Sequence, residues 1–274
     1  HLPTSVQIAI LGMFGLLLVA TIVVGGLARL RPTRNYKELI LRVKTWWLIV
    51  GVFTATIIFN HTVSVIVLAF VSFLAFKEYL SLIPTRRTDH RVLLWAYLAI
   101  PFQYYWVAIG WYGLFIIFIP VYAFLFLPMR MVVIGETQGF LRAAGTLHWG
   151  LMTTVFSLSH MAYLLALPDA KNPAGGSVGL LLFLVFLTES NDIAQYLWGK
   201  SFGKHKVTPT VSPNKTVEGL VGGVLTTTVL AVLLAPWLTP LTPLQSIAAG
   251  ALIGIAGFIG DVTISAVKRD IGVK

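Results

Sequence analysis

Long apolar segments separated by short polar loops dominate this sequence and predict its fold. A helix needs roughly 20 apolar residues to cross the hydrocarbon core of a bilayer. The sequence contains about nine segments of this kind, of which the second and third are short enough to form a re-entrant hairpin instead. The pattern predicts an all-α fold, a polytopic transmembrane helical bundle. The expected spans lie at about 6–28, 46–60, 62–76, 92–109, 111–129, 144–167, 177–198, 217–236 and 245–267.

Positive charges are concentrated in every second loop of this topology. All of the 20 Lys and Arg residues except Lys171 lie after spans 1, 3, 5, 7 or 9. Because loops rich in Lys and Arg stay in the cytosol, we expect that side to be cytosolic and the N-terminus to lie outside. The chain starts at His1 rather than Met, so its true start is expected to be missing or processed. The first apolar segment is too long for a signal-peptide core, and we expect it to remain as a span.

The composition supports an integral protein of the inner or plasma membrane and excludes several other classes. Hydrophobic residues make up 57% of the 274 residues and charged residues 11%, more apolar surface than a soluble domain of this size can bury. The absence of Cys excludes disulfides, Cys-ligated zinc and thiol catalysis. The formal charge of +10 lies in loops between spans, which favours the lipid bilayer and anionic substrates over nucleic acid as partners. We expect one membrane domain over 1–274 and leave open whether it forms a homodimer.

Acidic residues divide the chain into two parts. The expected spans within about 1–143 contain no acidic residue, and this part is expected to be a membrane scaffold. Ionisable side chains inside a membrane are energetically costly and usually functional, so the catalytic half is expected at about 177–274. The acids in or beside its spans are Glu189, Asp192, Glu218 and Asp261.

The predicted topology brings three of these carboxylates to the cytosolic face. Asp192 lies near the cytosolic end of span 7, Glu218 begins span 8, and Asp261 lies about two turns from the cytosolic end of span 9. Carboxylate oxygens suit Mg²⁺ and lysines neutralise phosphate, so we predict a metal–phosphate site with Asp192 and Asp261 as metal ligands. The cations of the adjoining loop are Lys200, Lys204, His205, Lys206 and Lys215.

Span 9 is predicted to present a metal ligand, a hydroxyl group and two cations along one helical face. The residues of this stripe are Asp261, Ser265, Lys268 and Arg269. Structural roles remain open for all four acids, including Asp261 and also Glu189, which could be a neutral, buried contact between helices. Asp192 could form a hydrogen bond between helices, and Glu218 could be a first-turn acid that the helix dipole favours.

The loop before span 8 also has the chemistry of a phosphate site. Either Thr216 or Ser212 can cap span 8, whose N-terminus favours an anion. Its glycines permit close approach of the backbone to phosphate, although their spacing does not match the Walker A pattern. These glycines are Gly199, Gly203, Gly219, Gly222 and Gly223.

The residues around this loop are similar to those of a known family, the phosphatidate cytidylyltransferases or CDP-diacylglycerol synthases. The resemblance covers roughly 188–274, and Ser212 to Glu218 together with Lys268-Arg269 is its most specific part. The matching segments are Asn191-Asp192, 199–206, 211–219 with Gly222-Gly223, and Gly260-Asp261 through Ser265 to Lys268-Arg269-Asp270 and Lys274.

The resemblance implies that phosphatidate attacks the α-phosphorus of CTP in the presence of Mg²⁺, giving CDP-diacylglycerol and pyrophosphate for phospholipid biosynthesis. It implies metal-associated roles for Asp192 and Asp261. It assigns phosphate contacts to Lys200, Lys204, Lys206, Lys215, Lys268 and Arg269, and the shape of the nucleotide site to Ser212, Thr216 and Glu218. We also expect His205 and Ser265 to contact substrate. The expected catalytic set is Asp192, Asp261, Lys215, Lys268 and Arg269.

Two departures from the family pattern leave alternatives open. Ile264 stands where the family usually has Glu, so a divergent paralogue is one interpretation. The chain stops at Lys274 before the rest of the family signature, so part of the active site and a final helix are expected to be missing from it. A CTP-dependent lipid kinase of the dolichol-kinase type would transfer the γ-phosphoryl group instead. An ion-coupled transporter is less favoured, because transport favours acids near the bilayer midplane.

Overall fold

The computed structural model describes residues 2–30 and 36–272, excluding the side chains of Glu38, Arg42 and Arg87, and it is an all-α bundle. Lys274, the last residue of the family-like segments, lies outside the described residues. Within the described part, seven helices are long and apolar enough to cross a membrane. They are Thr4–Leu30, Leu39–Ile58, His61–Leu82, Tyr112–Ile134, Gly176–Phe202, Val217–Leu238 and Pro243–Asp270.

The scaffold half contains eight of the helical elements in the described residues. The elements are α1 (Thr4–Leu30), α2 (Lys37–Ile58), α3 (His61–Leu82), α4 (His90–Ala108), α5 (Tyr112–Ile117), α6 (Phe124–Ile134), α7 (Phe140–Leu151) and α8 (Ser157–Ala166). The segment Phe118–Ala123 joins α5 to α6 as a π-helical turn, and Met152–Phe156 joins α7 to α8 in the same way.

The second and third expected spans are both long helices, which favours two full spans over the re-entrant alternative. The helices α2 and α3 each contain 22 residues, a length of roughly 33 Å that is sufficient to cross a bilayer. Both extend beyond the apolar segments into polar flanks, which made them look short in the sequence. Asn60 separates them and caps α3 by accepting a hydrogen bond from the Val63 N–H at 3.0 Å.

The other two expected spans coincide with helical segments that are not among the seven helices long and apolar enough to cross a membrane. Helix α4 occupies the place of span 4, and the continuous α7–α8 stretch occupies the place of span 6. The fold class is confirmed, while the total of nine spans and the external N-terminus stay predictions.

The C-terminal part, in which the catalytic half is expected, consists of three long helices and one small hairpin. Helix α9 (Gly176–Phe202) leads into strands β1 (Lys206–Thr208) and β2 (Ser212–Thr216), which pair antiparallel. Helices α10 (Val217–Leu238) and α11 (Pro243–Asp270) follow. The end of α9, the start of α10 and the end of α11 therefore share one end of the bundle. The hairpin is the one feature of the described residues that an all-α expectation did not include.

Glycine allows these three helices to pack with their backbones close together. A Cβ atom at Gly222 would overlap the indole of Trp198 on α9, and one at Gly223 would overlap the Gln195 side chain. A Cβ at Gly250 of α11 would lie 2.6 Å from the Cα of Thr228 on α10. The helices α9, α10 and α11 therefore form one closely packed unit.

A buried amide links the same three helices. The Asn191 side chain on α9 is fully buried, and its Nδ2 donates to the Gly254 carbonyl of α11 at 3.2 Å. The Thr227 hydroxyl of α10 donates to Asn191 Oδ1 at 3.2 Å. Both polar groups of the amide are thereby satisfied in an apolar environment, which fixes the relative positions of the helices.

Two polar residues fix the opposite end of α9. The Ser177 backbone N–H donates to Asp169 Oδ1 at 2.7 Å, and this hydrogen bond lowers the pKa of Asp169 below its usual value. The Asn172 side chain donates to the Leu238 carbonyl at the end of α10, at 2.8 Å. Helices α9 and α10 are therefore connected at both of their ends.

Candidate active site

Lys215 is the centre of the candidate site. It lies on β2, and its ammonium group forms an ion pair with the Asp261 carboxylate of α11. The same Nζ donates to Gln195 Oε1 of α9 at 3.2 Å and lies 5.9 Å from the ring centre of Phe258. One lysine thus connects the hairpin to two of the three helices.

The two predicted metal ligands lie at the same depth in the bundle. Asp192 is ten residues before the end of α9 and Asp261 nine residues before the end of α11, so each is roughly 15 Å from its helix end. Asp192 lies one helical turn before Gln195, the α9 residue that accepts from Lys215 Nζ. The Lys215–Asp261 ion pair agrees with the predicted clustering, while the close approach of Asp192 to Asp261 stays a prediction.

The donor set is compatible with Mg²⁺ bound together with a phosphate substrate. Among the described residues, no group of three or more His, Asp or Glu side chains is placed to hold a metal ion. Mg²⁺ commonly uses one or two carboxylates and completes its coordination with water and substrate phosphates. Asp192 and Asp261 supply two carboxylates, and both are accessible to solvent. Their role as metal ligands stays a prediction.

A second cluster organises the loop between α9 and the hairpin. Glu218 lies in the first turn of α10, where its Oε2 accepts hydrogen bonds from the backbone N–H groups of Lys204 at 3.0 Å and His205 at 3.2 Å. Its Oε1 lies 2.6 Å from His205 Nδ1. The Val217 N–H donates to the His205 carbonyl at 2.9 Å. Glu218 therefore fixes the loop backbone in addition to occupying a favourable position at a helix N-terminus.

The capping prediction is resolved in favour of Thr216. Its hydroxyl accepts a hydrogen bond from the Gly219 N–H at 3.1 Å, and its side chain is buried between the helices. Ser212 lies at the other end of β2, paired with Thr208, and does not cap α10. Its expected role at the nucleotide site stays a prediction.

The five glycines predicted to cradle phosphate contribute to the packing of the helices. A Cβ atom added to each would lie within 3.1 Å of another protein atom. Their contact with phosphate stays a prediction. Gly203 packs on Thr216. A Cβ atom added to Gly219 would lie 2.8 Å from the Gln195 carbonyl oxygen. The five glycines packed in this way are Gly199, Gly203, Gly219, Gly222 and Gly223.

The stripe of α11 is only partly directed toward the acid cluster. The Arg269 Nε donates to the Val211 carbonyl in the hairpin turn at 3.2 Å, which ties the end of α11 to the loop. The Ser265 hydroxyl donates to the Asp261 carbonyl of its own helix at 2.8 Å. Lys268 is exposed near the same end.

The remaining loop cations surround the site at the surface. The Lys200 Nζ donates to the Tyr196 hydroxyl at 3.3 Å and lies 5.5 Å from that ring centre. Lys204 and Lys206 are exposed on either side of His205. These side chains make the entrance to the site positively charged, which suits an anionic substrate.

An apolar cleft of about 300 Å³ lies between α1, α2 and α9. Its walls include Met13, Phe53 and Phe186, and Glu189 also lines it. Glu189 is one helical turn from Asp192, so the cleft approaches the acid cluster from the membrane side. The cleft has the character needed to hold hydrocarbon chains.

Sequence reasoning overlooked two residues that build the site. Gln195 contacts Lys215 directly, and Phe258 lies beneath the ammonium group. An uncharged amide near the end of an apolar span was the available signal for Gln195, since polar groups inside a membrane require partners. Phe258 had no distinguishing signal among the many aromatic residues of the chain.

Comparison with known proteins shows two levels of similarity. The sequence profile of the family described as "Cytidylyltransferase family" matches residues 40–274. The protein YnbB of Escherichia coli (strain K12), described as uncharacterized, is 47% identical over 262 residues. The match covers 96% of this chain and 86% of that protein.

Proteins named phosphatidate cytidylyltransferase are similar over a smaller part. The protein of Chlamydia muridarum (strain MoPn / Nigg) is 37% identical over 99 residues, which are 34% of this chain and 32% of that protein. The protein of Mycobacterium bovis (strain ATCC BAA-935 / AF2122/97) is 33% identical over 102 residues, which are 37% of this chain and 33% of that protein. The matched part therefore spans about a third of the length of each of these relatives.

Proposed function

This chain belongs to the cytidylyltransferase family, and from this premise we propose that it transfers the cytidylyl group of CTP to phosphatidate. The products are CDP-diacylglycerol and pyrophosphate. The family supports nucleotidyl transfer at an integral membrane protein, and the partial relatives named phosphatidate cytidylyltransferase support this particular lipid acceptor.

The observation that carries the proposal is the Lys215–Asp261 ion pair, which lies one helical turn of α9 from Asp192 through the contact of Lys215 with Gln195. Carboxylates and an ammonium group at one end of the α9–α10–α11 unit provide the two kinds of charge that phosphates and their counter-cations require. The loop that carries the basic residues joins this crevice at the same end of the bundle, which we assign to the cytosolic face.

The proposed reaction is a displacement at the α-phosphorus of CTP. An anionic oxygen of the lipid phosphate forms the new P–O bond. The bond from the α-phosphorus to the bridging oxygen breaks, and its electron pair leaves with pyrophosphate. Because the attacking oxygen is already anionic, the reaction needs positioning and charge stabilisation more than a strong general base.

Each residue of the cluster has a distinct part in this scheme. Lys215 uses N–H groups on Asp261 and Gln195, which leaves one ammonium N–H for a phosphate oxygen. Asp192 and Asp261 would hold Mg²⁺, which when bound supplies neutralisation of phosphate charge. Thr216 and Glu218 fix the loop that borders the nucleotide. The proposed phosphate contacts at the entrance are Lys200, Lys204, Lys206, Lys268 and Arg269, together with His205, Ser212 and Ser265 as substrate contacts.

The apolar cleft supports a lipid as the acceptor. It is lined by hydrocarbon and aromatic side chains and ends one helical turn from Asp192. In the proposed complex the phosphate of the lipid lies at the acid cluster while an acyl chain occupies the cleft. A water-soluble acceptor would have no use for such a surface.

Product identification tests the proposal. The purified protein in detergent or vesicles is incubated with CTP labelled at the α-phosphorus, Mg²⁺ and dioleoylphosphatidate. We expect the label in a lipid product and the release of pyrophosphate. Release of CDP with an unlabelled lipid product would identify a CTP-dependent lipid kinase instead, and the absence of any CTP turnover with phosphatidate would refute the proposal.

A further inference from the structure

Gln195 has a buried hydrogen-bond donor without a partner, directly beside the Lys215 ammonium group. Its side chain is 3% exposed, and its Nε2 has no hydrogen-bond partner within residues 2–30 and 36–272. Its Oε1 accepts from Lys215 Nζ at 3.2 Å. Because both atoms belong to one carboxamide group, the unused N–H₂ group lies next to the acid cluster.

The position of this side chain is fixed by its surroundings. Gly223 of α10 packs against the Cγ atom of Gln195, and Gly219 packs against its backbone carbonyl. The amide orientation is also determined, since an ammonium group can only donate and must therefore face the oxygen atom. The free N–H₂ group is thus held in one direction by packing on one side and by Lys215 on the other.

A buried amide N–H₂ group without a partner destabilises the protein that contains it. Replacing such a group by an apolar one of similar size is neutral or stabilising when no partner exists. A group of this kind at the centre of a phosphate-binding cluster is better explained by a ligand that completes its hydrogen bonds than by a contribution to folding.

We propose that Gln195 is a positioning and substrate-recognition residue, whose Oε1 holds Lys215 in the crevice and whose Nε2 donates to a phosphate oxygen of the bound substrate. This inference rests on the proposed function for the identity of the phosphate, which belongs either to the nucleotide or to the lipid. The hydrogen-bond chemistry is the same in both cases, and kinetics with each substrate separates them.

Two substitutions separate the two roles of the amide. Gln195→Met keeps the length of the side chain and removes both the hydrogen bond to Lys215 and the N–H₂ donor. Gln195→Glu keeps an oxygen that accepts from Lys215 and removes the donor. Gln103 provides a control with its donor satisfied, because it is a fully buried glutamine in the scaffold whose Nε2 donates to the Phe115 carbonyl and the Ser159 hydroxyl, each at 3.1 Å, and only its Oε1 has no partner within the described residues.

The experiment measures the melting temperature, KM and kcat of the full chain in detergent. We expect Gln195→Met to keep a melting temperature close to the wild-type value, because the lost hydrogen bond to Lys215 is offset by removal of the N–H₂ group without a partner, and to lower kcat/KM by roughly 10- to 100-fold. Gln195→Glu should raise KM for the recognised substrate, either CTP or phosphatidate, with a smaller effect on kcat than Gln195→Met. Gln103→Met should lower the melting temperature while KM for both substrates stays within about twofold of the wild-type value.

A binding measurement keeps this inference distinguishable from the proposed reaction. CTP with Mg²⁺ and inorganic pyrophosphate are each tested for a rise in the melting temperature of the wild-type protein, with dioleoylphosphatidate in a separate arm. If the wild-type protein shows no turnover but such a rise occurs and is lost in Gln195→Met, the proposed reaction fails and the inference stands. The inference would be overturned if Gln195→Met showed the kcat/KM and the ligand-induced melting shifts of the wild-type protein. It would also be overturned if the loss of activity in Gln195→Met merely accompanied a lower melting temperature. Wild-type KM values in Gln195→Glu would overturn the role assigned to Nε2.

Discussion

Glu218 Oε1 lies 2.6 Å from His205 Nδ1, and this pair closes the loop between α9 and the hairpin. The same carboxylate also accepts from the backbone N–H groups of Lys204 and His205. The carboxylate thus makes more bonds to the loop than the imidazole does, and the two residues should contribute unequally to activity.

Substitution of Glu218 should therefore be more damaging than substitution of His205. Glu218→Ala removes the acceptor of the Lys204 and His205 backbone N–H groups, and we expect kcat/KM to fall by at least about tenfold. His205→Ala leaves the backbone bonds to Glu218 intact and should reduce kcat/KM by less than about threefold. Steady-state kinetics with CTP and phosphatidate checks both variants. Equal losses in the two would show that the imidazole itself is essential.

Asp261 is expected to be indispensable. Asp261→Asn removes the charge that pairs with Lys215 and weakens the proposed Mg²⁺ site, so turnover at saturating Mg²⁺ should fall by at least roughly 100-fold. Glu78→Gln is the control, because Glu78 is an exposed acid on α3 outside the cluster, and it should retain wild-type turnover. A nearly normal Asp261→Asn variant beside an inactive His205→Ala variant would reverse the assignment of roles.

The packing of α9 against α10 should not tolerate a methyl group at Gly223. The added Cβ of Gly223→Ala would overlap Gln195, and we expect destabilisation of about 1–3 kcal/mol, measured as a lower melting temperature in detergent. Gly51→Ala on α2 is the matched variant, since no heavy atom lies within 4 Å of its added Cβ. Gly51→Ala should retain the wild-type melting temperature, and equal losses in both variants would contradict the packing explanation.

The apolar cleft should influence the choice of acyl chain. Ala20 lines the cleft, and Ala20→Trp should reduce kcat/KM more strongly for dioleoylphosphatidate than for a dihexanoyl analogue, because the indole occupies the space of the longer chain. Val23→Trp on the same helix places an indole on an exposed face outside the cleft and should leave the ratio of the two rates unchanged. A uniform loss for both lipids in Ala20→Trp would argue against the cleft as the acyl site.

The predicted orientation can be tested by labelling, because the chain contains no Cys. A membrane-impermeant maleimide should modify Leu2→Cys in intact cells. The same reagent should modify Thr210→Cys, in the hairpin turn, only after the membrane is permeabilised. The reverse pattern would show that the basic loops face outward, in conflict with their charge.

The long helices of the fold could be predicted because each carries its own signal in a run of apolar residues. The hairpin could not, since Lys206–Thr208 and Ser212–Thr216 are short, polar and without the alternation that indicates a strand. Its pairing is imposed by the ends of α9 and α10, which lie close together. The segments 199–206 and 211–219, which contain the hairpin strands, were nevertheless recognisable in the sequence because they resemble a known family.

The candidate site was predictable as far as charge was concerned. Asp192, Asp261 and Lys215 stood out because charged groups are unusual near membrane spans. Their connection through Gln195 was not predictable, because an uncharged amide gives a weak signal and its partner lies 20 residues away on another element. The packing role of the glycines was also hidden, since a glycine beside a phosphate and one beneath an indole look the same in a sequence.

The hydrogen bonds of Asn191 and the close glycine contacts between α9, α10 and α11 restrict how substrates can reach the site. Helices whose backbones already touch cannot slide past one another without separating first, and the amide contacts to Thr227 and Gly254 oppose that separation. We therefore expect helices α9, α10 and α11 to keep their relative positions when substrates bind. If the cleft between α1, α2 and α9 widens to admit an acyl chain, we expect the movement in α1 and α2, with the charged cluster undisturbed.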